Sequence, residues 1–182
     1  MAGLVLTGGI FRSRKIERYA DGRDGVTLRP TSGKVRQALF NILQNRLTGS
    51  RFLDLFAGSG SVGLEAAGRG ASLVDLVECH PGIFKTLGKN VKKLSPENVR
   101  IRKSDAISFC SRAKVQNQLY DIVFADPPFT RDFSGLDKQL LPLVADKGCC
   151  VIQFPSGISP DWLSSIDNLK KYGESSLAFF YN

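Results

Sequence analysis

Arg51–Gly63, RFLDLFAGSGSVG, decides the fold. Phe52-Leu53-Asp54-Leu55-Phe56 is a short apolar run interrupted by one acid, which predicts a buried strand. Gly58-Ser59-Gly60-Ser61-Val62-Gly63 follows as G-x-G-x-x-G, and Val62 to Arg69 reads as a helix. A strand, a glycine turn and a helix N-terminus make a nucleotide-binding βα unit, in which glycine lets a ligand approach the backbone. The glycines alone do not separate NAD from S-adenosylmethionine. Asp54 stands four residues before the first glycine, at the end of the buried strand. A buried carboxylate needs a partner, and this one suits a cationic group such as the amine of a methionine moiety better than a pyrophosphate. The plainer role is a cap on the turn.

Outward from this unit, strands and helices alternate. Upstream, Ser32 to about Arg46 carries Val35, Leu39, Ile42 and Leu43 at helical spacing. Downstream, strands are predicted at Leu73–Glu78, Asn98–Arg102, Tyr120–Ala125 and Cys149–Phe154. Helices are predicted at Ile83–Leu94, Ala106–Lys114 and Leu136–Val144, with a short one at Trp162–Ile166 and a closing hairpin around Gly173. This order implies a Rossmann-like, doubly wound α/β fold with a mostly parallel sheet. Residues 1–30 lie outside the repeat. Leu4-Val5-Leu6 and Val26-Thr27-Leu28 are short strand candidates there, giving a small basic hairpin arm on a domain of residues 31–182.

Composition narrows the class. The 182 residues, 42% hydrophobic and 23% charged, suit one globular domain with a full core. No apolar run reaches membrane-spanning length and no signal-peptide pattern opens the chain, so a cytoplasmic, membrane-free protein is expected. Cys79, Cys110, Cys149 and Cys150 form no C-x-x-C pair, so reduced thiols and no metal are expected. The net charge of +8 is unevenly spread. Residues 1–36 hold eight basic and three acidic side chains, and residues 85–103 hold seven and one. The rest of the chain is therefore net acidic. Two basic segments on an acidic body suit a polyanion such as RNA, although the second could equally be a solvated helix face.

Three more sites carry chemistry. Glu78 ends the second strand of the repeat, where a carboxylate suits both ribose hydroxyls of a nucleoside, in NAD as in S-adenosylmethionine; the plainer role is a solvent-facing strand-end acid. Asp105, after the third, can accept from an adenine amino group or cap the next helix. Asp126-Pro127-Pro128-Phe129 follows the fourth. Its prolines fix the backbone. Asp126 and the Pro127 carbonyl are then two held acceptors beside the Phe129 ring, which match an exocyclic amine on a stacked base.

With these motifs in place the chain resembles a class I S-adenosylmethionine-dependent methyltransferase. More narrowly, it resembles the bacterial family that methylates the N2 amino group of a guanine in small-subunit ribosomal RNA. The likeness covers nearly the whole chain and rests on RPTSGKVRQALFNIL (Arg29–Leu43), DLFAGSGSVGLEAAGRGA (Asp54–Ala71), DIVFADPPF (Asp121–Phe129) and Gly173 after Tyr172. Gly33-Lys34, Gln37 and Gln153 depart from the family's usual acid and arginine, glutamate, and acid; His80 stands where the family varies. The resemblance implies cofactor contacts at Asp54, Gly58, Gly60, Glu78, Asp105 and Ala106, and a target base held by Asp126, Pro127 and Phe129. It implies a ribosomal RNA partner, naked or in a small-subunit assembly intermediate, and a monomer. Arg12, Arg14, Lys15, Arg29, Lys34 and Arg36 are the expected phosphate contacts, on an arm that works apart from the cofactor site. His80 is expected in a loop or on the surface rather than in catalysis, and Gly68-Arg69-Gly70 at a helix end. A DNA adenine-N6 or cytosine-N4 methyltransferase, a non-catalytic RNA-binding protein and an NAD oxidoreductase are the alternatives. The chain has no room for a separate DNA-recognition domain, and the DPPF group has no evident use in a nicotinamide enzyme.

Overall fold

The structure, a computed structural model, describes residues 3–19, 31–129 and 134–182. Strands β1 (Leu4–Val5) and β2 (Lys15–Ile16) pair antiparallel, Leu4 with Ile16 and Val5 with Lys15. The partner strand of the arm is thus Lys15–Ile16; the candidate Val26–Leu28 lies outside the described residues. Leu6 and Ile16 are buried against Leu64 and Leu94, so the hairpin is seated on the body of the protein.

Helix α1 (Gly33–Leu47) starts at Ser32, whose hydroxyl accepts the Val35 amide at 3.2 Å. It buries Val35, Leu39, Phe40, Leu43 and Leu47 at helical spacing. Then come β3 (Arg51–Asp54), α2 (Ser61–Gly68), β4 (Leu73–Glu78), α3 (Pro81–Leu94), β5 (Val99–Lys103), α4 (Ala106–Val115) and β6 (Tyr120–Ala125). After β6 the expected helix to Val144 is only α5 (Leu136–Leu140) plus a 3-10 turn, Leu141–Leu143. Pro142 lacks the N–H that α-helix continuation needs. Val144 instead opens the long strand β7 (Val144–Pro155), which shifts register between Tyr120 and Ile122 of β6. A 3-10 turn at Asp161–Ser165 and the hairpin β8 (Asn168–Tyr172) and β9 (Ser175–Tyr181) close the chain.

The seven-stranded sheet has the order β5-β4-β3-β6-β7-β9-β8. Pairs from β5 to β7 are parallel, and β9 and β8 join antiparallel. Period-two alternation sorts each strand onto two cores. Ile122, Phe124, Cys149 and Val151 face the layer of α1, α2 and α3. Val123, Ala125, Cys150 and Ile152 face α4 and α5. The adjacent cysteines of β7 therefore lie on opposite faces, both buried and free.

From β3 the chain steps outward to β4 and β5, then returns to the other side of β3 as β6. The β3 end is thus the switch point, where ligands bind in such sheets. Gly60 caps α2 with φ 86°, a left-handed conformation that glycine enters without strain. A Cβ on Gly63 would collide with Leu76 of β4, so this glycine lets α2 pack closely on the sheet.

Candidate cofactor and base site

Four acids lie at the carboxyl ends of four neighbouring parallel strands, in the spatial order Asp105, Glu78, Asp54, Asp126. Three interstrand steps make a row about 14 Å long. Asp54 is 1% exposed. Its Oδ2 accepts the Gly63 amide at 3.2 Å, while Oδ1 has no hydrogen-bond partner among the described residues. Burial first, then the charge of Asp126 and more weakly that of Glu78, push its pKa up to about 7; the amides of Phe56 and Gly63 pull the other way. A carboxylate so placed gains from a cation, because an opposite charge restores its ionised form. The ammonium of a methionine moiety fits this unpartnered oxygen, and a pyrophosphate would worsen it.

Glu78 is 8% exposed. It accepts the Gly58 amide on Oε2 at 3.0 Å and the His80 amide on Oε1 at 2.8 Å, tying the glycine turn to the start of α3. His80 caps α3, its Nδ1 accepting the Ile83 amide at 3.3 Å, and its ring meets Tyr19 edge-on. It is a loop residue in a structural role. Asp105 is exposed and caps α4, Oδ1 accepting the amides of Ile107 and Ser108 at 3.0 and 3.1 Å. That leaves its capping role plain and its Oδ2 out of the cap. Ala106 is buried beside it.

Asp126 is half-buried, Pro127 buried and Phe129 half-buried. The Thr31 hydroxyl donates to Asp126 Oδ2 at 2.7 Å. The sequence offered only a helix start here, and this partner stands 95 residues away. Gln153 lies next to Asp126, one step past the registered pair Ala125 and Ile152. Alternation puts both side chains on the α1 face of the sheet. Gln153 is 4% exposed, and its Oε1 has no partner among the described residues. The sequence marked it only as a departure from an acid; a polar residue in an apolar strand was the signal for its burial.

The basic residues divide. Arg12, Arg14, Lys15 and Lys34 are exposed; Arg29 lies outside the described residues. Arg36 is corrected: it is 1% exposed, bound to the buried Glu65 at 2.9 Å and to the Val5 carbonyl at 2.5 Å, so it offers nothing to a phosphate. Arg100 and Arg102, in the second basic segment, pair with the buried Asp75. The hairpin runs along α2. The Ile10 amide meets the Gly68 carbonyl at the far end of that helix. Tyr19 and, through the buried Asn90, Glu17 meet Ser59 at the near end. Arg12 therefore sits toward the far end of α2, away from the glycine turn. The arm touches the glycine turn, since Asn90 ties Glu17 to Ser59 with two bonds at 2.9 Å.

Among the described residues no cluster of metal-ligating side chains occurs, and no helix is long and apolar enough to cross a membrane.

Residues 4–181 match the family model described as conserved hypothetical protein 95. Ribosomal RNA small subunit methyltransferase D of Buchnera aphidicola is 40% identical over 144 residues, 79% of this chain and 71% of that protein. Its Escherichia coli counterpart is 38% identical over 143 residues, 79% and 67%. Among solved structures, a hypothetical protein of Thermus thermophilus superposes with TM-score 0.84 at 32% identity, covering 97% of this chain and 98% of its own. The Escherichia coli putative methyltransferase yhhF gives 0.79 at 30%, covering 100% and 98%. A switch-point glycine turn beside an unpartnered buried acid, carried on a chain this similar from end to end, leads to one conclusion: the protein belongs to the ribosomal RNA small subunit methyltransferase D family of class I, S-adenosylmethionine-dependent methyltransferases.

Proposed function

We propose that the protein methylates the exocyclic N2 amine of a guanine in small-subunit ribosomal RNA. The observation that carries this reading is the adjacency of Asp54 and Asp126, on neighbouring parallel strands and close enough for the charge of one to raise the pKa of the other. A cation-seeking acid beside a proline-held acceptor suits transfer from a cationic donor to an amine. The names of the relatives, which state ribosomal RNA, supply the substrate class.

S-adenosylmethionine supplies an electrophilic methyl group on a positively charged sulfur. In this reading Asp54 takes its ammonium, the turn at Gly58 and Gly60 admits its backbone, Glu78 accepts from the ribose hydroxyls, and Asp105 with Ala106 borders the adenine. Taking up the ribose requires Glu78 to loosen its hold on the Gly58 and His80 amides or to share its oxygens with them. Asp126 and the Pro127 carbonyl accept the two N–H bonds of the target amine. That turns the nitrogen lone pair, otherwise delocalised into the ring, toward the methyl group. The Asp126 carboxylate stabilises the positive charge growing on nitrogen, an effect strongest where water is excluded. The nitrogen would then give up one proton, to the Asp126 carboxylate or to water. Phe129 stacks on the base and offsets the cost of unstacking it from the RNA. Gln153 Oε1 offers a further acceptor on the same face, which suits guanine, whose N1 carries a hydrogen where adenine N1 carries none. Residues 1–30 serve as a basic arm on the catalytic domain of residues 31–182, and Arg12, Arg14, Lys15, Arg29 and Lys34 hold phosphates.

The test is transfer of labelled methyl from S-adenosylmethionine to unmodified small-subunit RNA, naked and protein-bound, followed by digestion to nucleosides. Label in N2-methylguanosine is expected. Label in N6-methyladenosine or N4-methylcytidine would contradict the choice of base, and cofactor binding without transfer to either RNA would contradict the choice of substrate.

A further inference from the structure

We propose that Thr31 is a positioning residue for Asp126, fastened by buried polar contacts to the N-terminal hairpin. The assignment rests on the reading of Asp126 as the group that holds the acceptor base. Thr31 is 6% exposed and donates to Asp126 Oδ2 at 2.7 Å. It stands one residue before the N-cap of α1, where the cap fixes the backbone. Its carbonyl accepts from Arg36 Nη1 at 3.3 Å. Arg36 passes the connection on, with Nε to Glu65 Oε2 at 2.9 Å and Nη2 to the Val5 carbonyl at 2.5 Å. Glu65, wholly buried on α2, also takes the Thr7 amide at 2.9 Å and the Thr7 hydroxyl at 2.7 Å. The contacts thus run from the hairpin through α2 and α1 to the end of β6.

Asp126 begins the loop after β6, so its strand does not hold its carboxylate. An acceptor aimed at a reacting amine loses most of its effect when misplaced by about 1 Å. A hydroxyl donated to one oxygen restricts rotation of the group, and it favours the charged form over the neutral one. Both effects act through Asp126 and need no contact between Thr31 and the RNA. If Thr31 only braced the start of α1, its loss would lower stability and leave the reaction at saturating RNA alone.

The experiment compares the full chain with Thr31→Val, Thr31→Ser, Asp126→Ala and the Thr31→Val/Asp126→Ala double variant. Single-turnover methyl transfer to unmodified small-subunit RNA is read at saturating RNA, with cofactor and RNA affinities and thermal midpoints alongside. Thr31→Val is expected to slow transfer about tenfold, as for loss of a hydrogen bond to a charged group, with both affinities little changed. Thr31→Ser is expected to restore most of the lost rate, and Thr31→Val to add no slowing once Asp126 is Ala. Thr31→Ala replaces Thr31→Val if the latter does not fold. Equal slowing in both backgrounds, a weaker RNA affinity at an unchanged saturating rate, or no recovery with Ser would overturn the assignment. A slow Asp126→Ala beside a parent-like Thr31→Val overturns Thr31 alone; a parent-like Asp126→Ala overturns the reading of Asp126 together with it.

Discussion

Asp54 and Glu65 are both buried carboxylates, 1% and 0% exposed, within a dozen residues of each other in the chain. Their surroundings push them in opposite directions. Burial raises the pKa of Glu65 too, but the hydroxyl and amide of Thr7, then Arg69 and Arg36, outweigh it and leave the carboxyl below its ordinary value. Asp54 accepts the Gly63 amide at 3.2 Å but keeps one oxygen without a partner among the described residues, and its pKa rises to about 7. Burial alone therefore does not separate structure from function. The satisfied acid holds three elements together, and in the proposed function the unsatisfied one is completed by a ligand.

That contrast can be broken at either end. Glu65→Ala leaves the buried Arg36 uncompensated and is expected to cost about 3–5 kcal/mol of stability, read by chemical denaturation. A loss under about 1 kcal/mol would show that the network holds little. Asp54→Asn should act oppositely on the ligand-free protein. A folded pKa raised above the unfolded one means that stability falls as pH climbs from about 4 to about 7. Removing the charge should then raise the melting temperature at pH 8, by about 1–3 kcal/mol of stability, while weakening S-adenosylmethionine about tenfold or more. In the parent, cofactor affinity should rise as Asp54 ionises, up to about tenfold from pH 6 to pH 8, and this slope should flatten in Asp54→Asn. An unchanged slope in calorimetric titrations would take Asp54 out of the ammonium site. Glu78→Ala should weaken the cofactor by roughly tenfold, as two ribose hydroxyls lose a charged acceptor; equal affinity in a folded variant would remove Glu78 from the site.

The same distinction explains what could be read in advance. Leu73–Glu78 and Tyr120–Ala125 match their predicted bounds because each is an apolar, β-branched run ended by turn residues. The row of acids was legible too, since each ends or follows a strand. Arg36 was not. In sequence it continues a basic cluster, and only its pairing with Glu65, 29 residues on, makes it an internal strut. The Thr31–Asp126 contact is likewise long-range and leaves no local pattern. The partner of β1 was missed because β2 has two residues, too few to show a period. The early start of β7 was hidden by Lys147 in a left-handed conformation, φ 60°, in the middle of a strand.

In the proposed function Asp54 and Asp126 form one reaction site, the first for the cofactor and the second for the base. Single-turnover methyl transfer by Asp126→Ala on unmodified small-subunit RNA, with cofactor affinity measured on the same protein, tests it most directly. The expected rate is at least about a hundredfold lower, as for loss of one preorganised charge-stabilising group, with S-adenosylmethionine bound about as tightly as by the parent. Transfer at near the parent rate, or a loss fully explained by weaker cofactor binding, would contradict it.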